Sequence, residues 1–295
     1  MSAMIDLSTV AAPAVVEPLD FEAVLAQLKA KLLEHLPELA SVLELESEPL
    51  VKLMQLMAYR EVLLRQRINE ATAANMLALA AGSDLDHIAA RAGLERKLIA
   101  PARPEADPPA EAVWETDKAL RRRVQLHPEK YAAAGPGAAY VAHALDAHSD
   151  VADARAVRPV AGTVRVYIKS HRGSGVPSAA LINTVRDYLS GEERRPLCDT
   201  VEVQGGRAKA IAISYRTTYE DGPDKALVAA KQREDLNAVL ADNHGLGVTI
   251  ALSKIIGALD VVGAHKVELI SPTADIVCAD NEFISISAIT AAEAV

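Results

Sequence analysis

Eight histidines are the residues of this sequence best suited to bind a metal or to transfer protons. His143 and His148 are five residues apart, which on a helix turns them about 140° from each other, so they cannot share a metal as two histidines four residues apart can. The other histidines are scattered along the chain. We therefore predict no metal site and no cofactor.

Three further kinds of catalytic or binding site lack a necessary part. The loop His171–Gly175 has neither the Gly-Lys-Ser/Thr ending nor the glycine spacing of a phosphate loop, and we interpret it as a surface turn between a strand and a helix. Acidic pairs such as Glu192–Glu193 could serve a glycosidase, but one Trp and two Phe cannot easily line a sugar cleft. No Gly-x-Ser-x-Gly elbow occurs. We predict that the protein is not an enzyme.

Charge and composition argue against nucleic acid or a membrane as the main partner. The net charge is −9, and the arginine runs Arg121–Arg123 and Arg194–Arg195 are interpreted as solvated faces or ion pairs. The N-terminal stretch lacks the basic and apolar regions of a signal peptide, and the longest uncharged run is too short to cross a bilayer. Cys198 and Cys278 are predicted to be reduced, buried thiols of a protein made in the cytoplasm.

One long helix dominates the N-terminal part. After an extended arm, Asp20 can cap a helix over 21–35. Ser47-Glu48-Pro49 then opens a second helix that we predict to continue to Ala81 and to be closed by Gly82. Such a helix would be roughly 50 Å long, longer than a small domain is wide.

The long helix carries two apolar faces, and each needs a partner. One stripe comprises Leu50, Leu53, Met54, Met57, Leu64, Ile68, Ala71 and Leu79, and the opposite one Leu56, Tyr59, Leu63 and Leu77. Too few neighbouring helices are predicted to cover both, which favours packing in a bundle with other chains over a central helix wrapped by its own chain.

The remainder of the chain predicts small α+β modules. A proline-rich connection over 100–112 should be irregular. Strands over 151–158, 163–170, 200–204 and 207–219 with a helix over 178–190 predict one β-β-α-β-β sheet. We predict an α+β protein with an arm and helical bundle region at 1–99, a linker and helical region at 100–150, and α+β modules at 151–220 and 221–295.

Several phrases, in order, resemble a known family. They include LESEPLVKLMQLMAYREVLLRQRINEAT, DLDHIAARAGLERK, AAAGPGAAYVAHA, VADARAVRPVAGTVRVYIKS and GALDVVGAHKVELISPTADI. The set is similar to the baseplate J-like proteins of contractile-tailed phages and related injection particles, and the resemblance covers nearly the whole chain.

The resemblance implies a structural wedge subunit in the baseplate of a phage tail or tail-like particle, assembled in the bacterial cytoplasm. Its partners would be other copies of itself, another wedge subunit, the sheath-initiating subunit and the central hub or spike, in a sixfold ring that relays the trigger for sheath contraction. We assign the bundle contact to four residues of the long helix: Leu53, Met57, Leu64 and Ile68. The proline-containing joints at 100–112 and 221–223 are the expected hinges.

Two other functions are compatible with parts of the sequence. A soluble intracellular adaptor with a helical dimerisation arm would explain the long helix but not the ordered phrases. A tail-associated hydrolase would need a paired-carboxylate cleft or a metal triad, and the sequence displays neither pattern.

Overall fold

The chain is an α+β protein built as two units. The computed structural model describes residues 5–11, 13, 17–132 and 135–293; residues 12 and 14–16 of the predicted arm, and 133–134 before the Gly-Pro-Gly turn, lie outside them. Within the described residues, the first unit comprises 5–96 with 116–122 and the second 97–115 with 123–293.

Helices α1 to α4 form most of the first unit. Asp20 caps α1 as predicted, because its carboxylate accepts a hydrogen bond from the N–H of Ala23 at 3.0 Å. The helices are α1 Phe21–His35, α2 Ala40–Leu43, α3 Pro49–Ala74 and α4 Gly82–Arg91. The core shared by α1, α2 and α3 contains Val24, Leu25, Leu43, Val51, Met54 and Ala58.

Helix α3 ends at Ala74, so the prediction that it reaches Ala81 is wrong. The Asn75 side chain donates to the carbonyl of Ala71 at 2.9 Å, and its N–H turns back to Thr72. This local bonding competes with continuation of the helix. Gly82 does not close α3 but begins α4 with φ of 53°. The 26 residues of α3 span about 39 Å.

Two arginines connect segments of the first unit that are distant in sequence. Arg121 lies on helix α5, Asp117–Leu126, which begins in the first unit and ends in the second. Its guanidinium donates to the carbonyl oxygens of Leu77 at 2.7 Å and Ala80 at 2.6 Å. These two carbonyl groups of the turn after α3 thereby gain a hydrogen-bond donor. Arg96 pairs with Asp117 at 2.7 Å.

The proline-rich connection in the second unit forms no helix or strand over 101–112, as predicted, although its two ends are paired. It is the loop of a hairpin in which strand β1, Leu98–Ala100, pairs antiparallel with β2, Val113–Trp114. Arg103 and Ala110 add a further bridge by exchanging backbone hydrogen bonds of 2.7 and 3.0 Å. The prolines occupy the segment between these two residues and its flanks, where they interrupt no ladder bond.

The central module packs two helices on one sheet. Its elements are α6 Gly137–Ala147, β3 Val151–Val160, β4 Thr163–Ser170, α7 Ala179–Leu189 and β5 Thr200–Gly205. The strand order is β3-β4-β5, antiparallel for the first pair and parallel for the second. The core lies between this sheet and α6 and α7, with Tyr140, Val166, Ile168, Val185 and Leu189 fully buried.

The C-terminal module has a separate sheet. Its elements are β6 Arg207–Tyr219, α8 Lys225–Asp242, β7 Thr249–Ile250, α9 Leu252–Leu259, β8 Ala264–Ser271, β9 Ile276–Val277 and β10 Glu282–Glu293. The order is β10-β6-β8, with β6 parallel to β10 and antiparallel to β8, while β7 pairs with β9.

The prediction of a single β-β-α-β-β sheet is therefore wrong, because β6 belongs to the sheet of the C-terminal module. The change of sheet occurs at Gly206, whose N–H donates to the carbonyl of Ile168 at 2.8 Å. A Cβ at this residue would lie 2.8 Å from the Leu246 side chain and 3.2 Å from the Ile168 carbonyl, so the close approach requires glycine. The predicted domain ranges themselves stay predictions.

The connection over 221–223 is not a hinge between modules, contrary to expectation. It joins β6 and α8, which pack in the same core. Thr217 of β6 donates to Gln232 of α8 at 3.2 Å, and the fully buried Gln232 amide donates to the carbonyl of Leu259 at 2.6 Å. Rotation about this joint would break that core.

The two cysteines differ in environment. Cys278 is buried as predicted, and burial raises the pKa of its thiol. Cys198 is exposed, which contradicts the prediction, because it lies in the loop before β5 and not in the strand.

Buried charges join the hairpin to helices α5 and α6. The Arg123 guanidinium contacts the carboxylates of Glu115 at 2.6 Å and Asp146 at 3.1 Å, and Lys130 also pairs with Asp146. The ammonium group of Lys97 donates to the carbonyl of Leu145, near the end of α6. Burial, reinforced by Arg123, lowers the pKa of Lys97 to about 8.

Three charged side chains of the central module contact loops of the C-terminal module, among them the loop before β7. Asp153, only 6% exposed, accepts hydrogen bonds from the N–H groups of Leu246 at 2.7 Å and Ala154 at 2.9 Å. Lys169 donates to the carbonyl of His244 at 2.6 Å, and Arg155 pairs with Asp280 at 2.6 Å. The central and C-terminal modules are thus joined by hydrogen bonds to charged groups.

We expect the stability of the second unit to depend on pH through Lys97. Its pKa is about 8 in the folded chain and 10.5 ordinarily, so the unfolded chain binds more protons between these values and the free energy of unfolding rises with pH. The difference in free energy of unfolding between the wild type and Lys97→Met should rise by up to about 1.4 kcal/mol per pH unit between pH 8 and 10.5. It should change little below pH 8. Urea unfolding at several pH values would measure this; a constant difference would contradict it.

We expect Asp153→Ala to lower the free energy of unfolding by about 1–3 kcal/mol, because two backbone donors lose their buried acceptor. The control is Asp187→Ala, whose side chain is 73% exposed and should change the free energy by less than about 0.5 kcal/mol. Urea unfolding followed by circular dichroism compares the two, and equal effects would show that the Asp153 contact contributes nothing.

Candidate interface helix

Helix α3 presents its predicted interface residues to solvent. Leu53, Met57, Leu64 and Ile68 are between 53% and 61% exposed. They recur along one side of the helix, since they are four, seven and four residues apart. The structure therefore places all four on one continuous apolar surface.

Three more large side chains widen this surface. Leu56, Tyr59 and Leu63 are between 45% and 56% exposed and follow the next row around the helix. We call the seven side chains the α3 apolar surface: Leu53, Leu56, Met57, Tyr59, Leu63, Leu64 and Ile68. The two predicted apolar faces thus merge into a single exposed surface that extends around about half of the helix.

The opposite side of α3 is covered by its own chain. Val51, Met54 and Ala58 are buried in the core shared with α1, where Val24 and Leu25 are also buried. The prediction that grouped Met54 with Leu53 and Met57 is therefore wrong. Met54 lies about 100° from Leu53 on the helix, which is enough to move it from the exposed side to the core.

The arm occupies a further strip of the helix. The Asn69 amide exchanges two hydrogen bonds with the backbone of Glu17, at 3.1 and 2.9 Å. Arg65 contacts the carboxylates of Glu17 at 3.1 Å and Glu61 at 2.5 Å. These polar contacts direct the chain along the edge of the core and leave the apolar surface uncovered.

Covering the apolar surface would be favourable. Transfer of a Leu, Ile or Met side chain from full exposure to a protein interior contributes about 1.5–3 kcal/mol. The side chains here are about half exposed, so each would contribute roughly half of that. Single exposed apolar residues are ordinary, but seven on adjacent turns of one helix are typical of an interaction surface.

The chemical candidates of the sequence do not assemble into a site. Among the described residues, no three His, Cys, Asp or Glu side chains are grouped so that they could hold a metal. The His171–Gly175 loop is a turn between β4 and α7, as predicted, beside a cavity of about 240 Å³. Lys169 in that cavity is already bonded to the His244 carbonyl and lies 4.7 Å from the Phe283 ring centre.

The described helices are not suited to cross a membrane, and three arginines of the two runs make internal contacts. None of the helices in the described ranges has the length and apolar character to cross a bilayer. Arg121 and Arg123 make the internal contacts given above, and Arg194 lies 3.9 Å from the centre of the Tyr188 ring. These arginines therefore have structural contacts, consistent with the interpretation of the runs as ion pairs and surface residues.

Comparison with known proteins gives the family. Three sequence profiles match in order: the Baseplate J-like N-terminal domain at 46–103, the Baseplate J-like central domain at 132–205, and the Baseplate J-like protein C-terminal domain at 211–292. The chain belongs to the baseplate J-like family. It is 42% identical over 279 residues to the baseplate protein J of Escherichia phage P2, covering 93% of this chain and 92% of that protein.

A solved structure is also similar in part. It is a chain of the anti-feeding prophage baseplate, determined by cryo-EM with sixfold symmetrisation. The TM-score is 0.41 with 12% identity, over 60% of this chain and 44% of that chain. This similarity is too low to support a conclusion about fold or function.

The family domains follow the sheets of the structure. The N-terminal match contains α3 and α4, the central match ends with β5 at Gly205, and the C-terminal match begins within β6. The glycine pair at 205–206 is the feature of the sequence that marks this change of sheet.

In this baseplate J-like chain, we expect side-chain truncation on the two sides of α3 to have different effects on the free energy of unfolding. Met54→Ala should lower the free energy of unfolding by about 2–5 kcal/mol because it leaves a cavity in the core. Leu64→Ala should change it by less than about 0.5 kcal/mol because the side chain is exposed. Urea unfolding of the unassembled protein measures both, and a large loss for Leu64→Ala would show that its side chain is covered.

Proposed function

We propose that this chain is a wedge subunit of a contractile-tail baseplate that assembles through the α3 apolar surface. Its family supports the coarser role of a structural baseplate subunit in a phage or contractile particle. The observation that carries the finer role is the uncovered surface of α3 around Leu53, Met57, Leu64 and Ile68. A helix whose exposed half is apolar is suited to a helical bundle with neighbouring chains.

In the proposed assembly, copies of this chain and another wedge subunit pack their helices together and form a sixfold ring around the central spike. The second unit would contact neighbouring wedges, the sheath-initiating subunit and the hub. These partners and the ring are inferred from the family resemblance and from the exposed helix. The role is structural and requires no catalytic group or cofactor.

The proposed ring would also relay the trigger for sheath contraction. Such a switch needs two arrangements that differ by a few kcal/mol, with rigid parts moving between them. The contacts of Asp153, Arg155 and Lys169 support treating the central and C-terminal modules as one rigid part. Movement would then occur at the interfaces between subunits or elsewhere in the chain, and not between these two modules.

We expect Leu64→Asp to prevent incorporation into particles while the chain still folds. The variant places a carboxylate in the centre of the proposed bundle, where a buried unpaired charge is strongly unfavourable. The control Leu45→Asp changes a residue of the first unit that lies outside α3 and is 54% exposed, and it should be incorporated normally.

The measurement is purification of the contractile particles by density gradient and mass spectrometry of this chain against the sheath protein. Wild type should be present at a fixed ratio well below that of sheath. Normal incorporation of Leu64→Asp would refute the bundle. Absence of the wild-type chain from particles would refute the baseplate role and favour the adaptor.

A further inference from the structure

Two arginines lie within the α3 apolar surface. Arg60 and Arg67 are seven residues apart, and both are exposed on the side of the helix that carries Leu53, Leu56, Leu63 and Leu64. Among the described residues, neither guanidinium has a carboxylate within ion-pair distance. Arg65, which points to the other side, is by contrast bound by Glu17 and Glu61.

Covering the apolar surface would enclose these two cations. A guanidinium removed from water without a counter-charge is strongly destabilising, whereas a paired one can be accommodated. Any helix that packs on this surface must therefore bring carboxylates to Arg60 and Arg67. Because the arginines repeat every seven residues, the carboxylates should repeat at the same interval on the partner helix.

A second copy of α3 cannot supply both carboxylates. The acidic residues of α3 are Glu61 and Glu70. They are nine residues apart, which places them about 180° from each other on the helix, so they cannot face one partner together. Glu61 is also occupied by Arg65 at 2.5 Å. In a parallel, in-register pair, each arginine would instead meet the same arginine of the other copy.

We propose that the helix packed against Arg60 and Arg67 belongs to a different baseplate protein and carries two carboxylates seven residues apart. This inference rests on the proposed bundle and specifies the chemistry of one partner in it. The apolar side chains would provide most of the association free energy, and the two ion pairs would set which helix binds and in which register. Other copies of this chain could still pack elsewhere on the surface.

The test is a double charge reversal, Arg60→Glu with Arg67→Glu, in the genome that encodes the full particle. We expect at least a tenfold drop in the number of complete particles, because each site becomes a like-charge contact. The double variant Arg60→Lys with Arg67→Lys keeps both charges and should retain most particles. The matched control, Lys31→Glu with Arg91→Glu, reverses two exposed cations of the first unit that lie outside α3 and should assemble normally.

Selection for restored particles then identifies the partner. Compensating changes of Asp or Glu to Lys or Arg, seven residues apart in another particle protein, would support the inference. Compensation at any acidic residue of this chain, whether Glu61 or Glu70 of α3 or Asp235 and Asp242 of α8, would overturn it in favour of a second copy. If the charge-reversed protein is unfolded by circular dichroism, Arg60→Gln with Arg67→Gln takes its place, with a smaller expected loss. Selection should then replace the partner's two unpaired acidic residues with neutral ones.

The inference and the proposed function can fail separately. If the charge-reversed variant assembles normally while Leu64→Asp does not, the bundle stands and the acidic partner is refuted. If both variants assemble normally, the α3 surface is not an assembly interface and both proposals fall.

Discussion

The structure depends on the fact that its own chain covers only one side of helix α3. Helix α1 packs against the strip that contains Val51, Met54 and Ala58, and the arm contacts α3 near Asn69. No described element covers the seven exposed apolar side chains. Within the described part of the first unit, few other elements are available to cover this helix of 26 residues. The first unit is therefore suited to assembly, because its apolar surface exceeds what one chain can bury.

In the second unit, by contrast, each module has its own hydrophobic core, and polar contacts join the two modules. Gly206 lets the chain pass from one sheet to the next, and Asp153 and Lys169 bind backbone groups of the loop before β7. Hydrogen bonds between charged side chains and backbone depend strongly on geometry. This junction favours one relative arrangement of the two modules, as expected of a rigid part in a large particle.

The charges of the chain are used in two ways that bear on its role. Inside the second unit, Arg123 lies between Glu115 and Asp146, and the network fixes the hairpin to α6. On α3, Arg60 and Arg67 are exposed among apolar residues. The first set stabilises one chain. The second set suits recognition between chains, because a charge within an apolar interface excludes helices that cannot pair with it.

The sequence by itself determined the α+β class, the cap of α1, most helix and strand bounds and the family resemblance. These follow from local capping, side-chain periodicity and ordered phrases. The tertiary structure alone decided that β6 pairs with β8 and β10, that the proline-rich segment is a hairpin, and that Met54 is buried while Met57 is exposed. Strand partners and the covered side of a helix depend on contacts between residues distant in sequence, which local patterns do not encode.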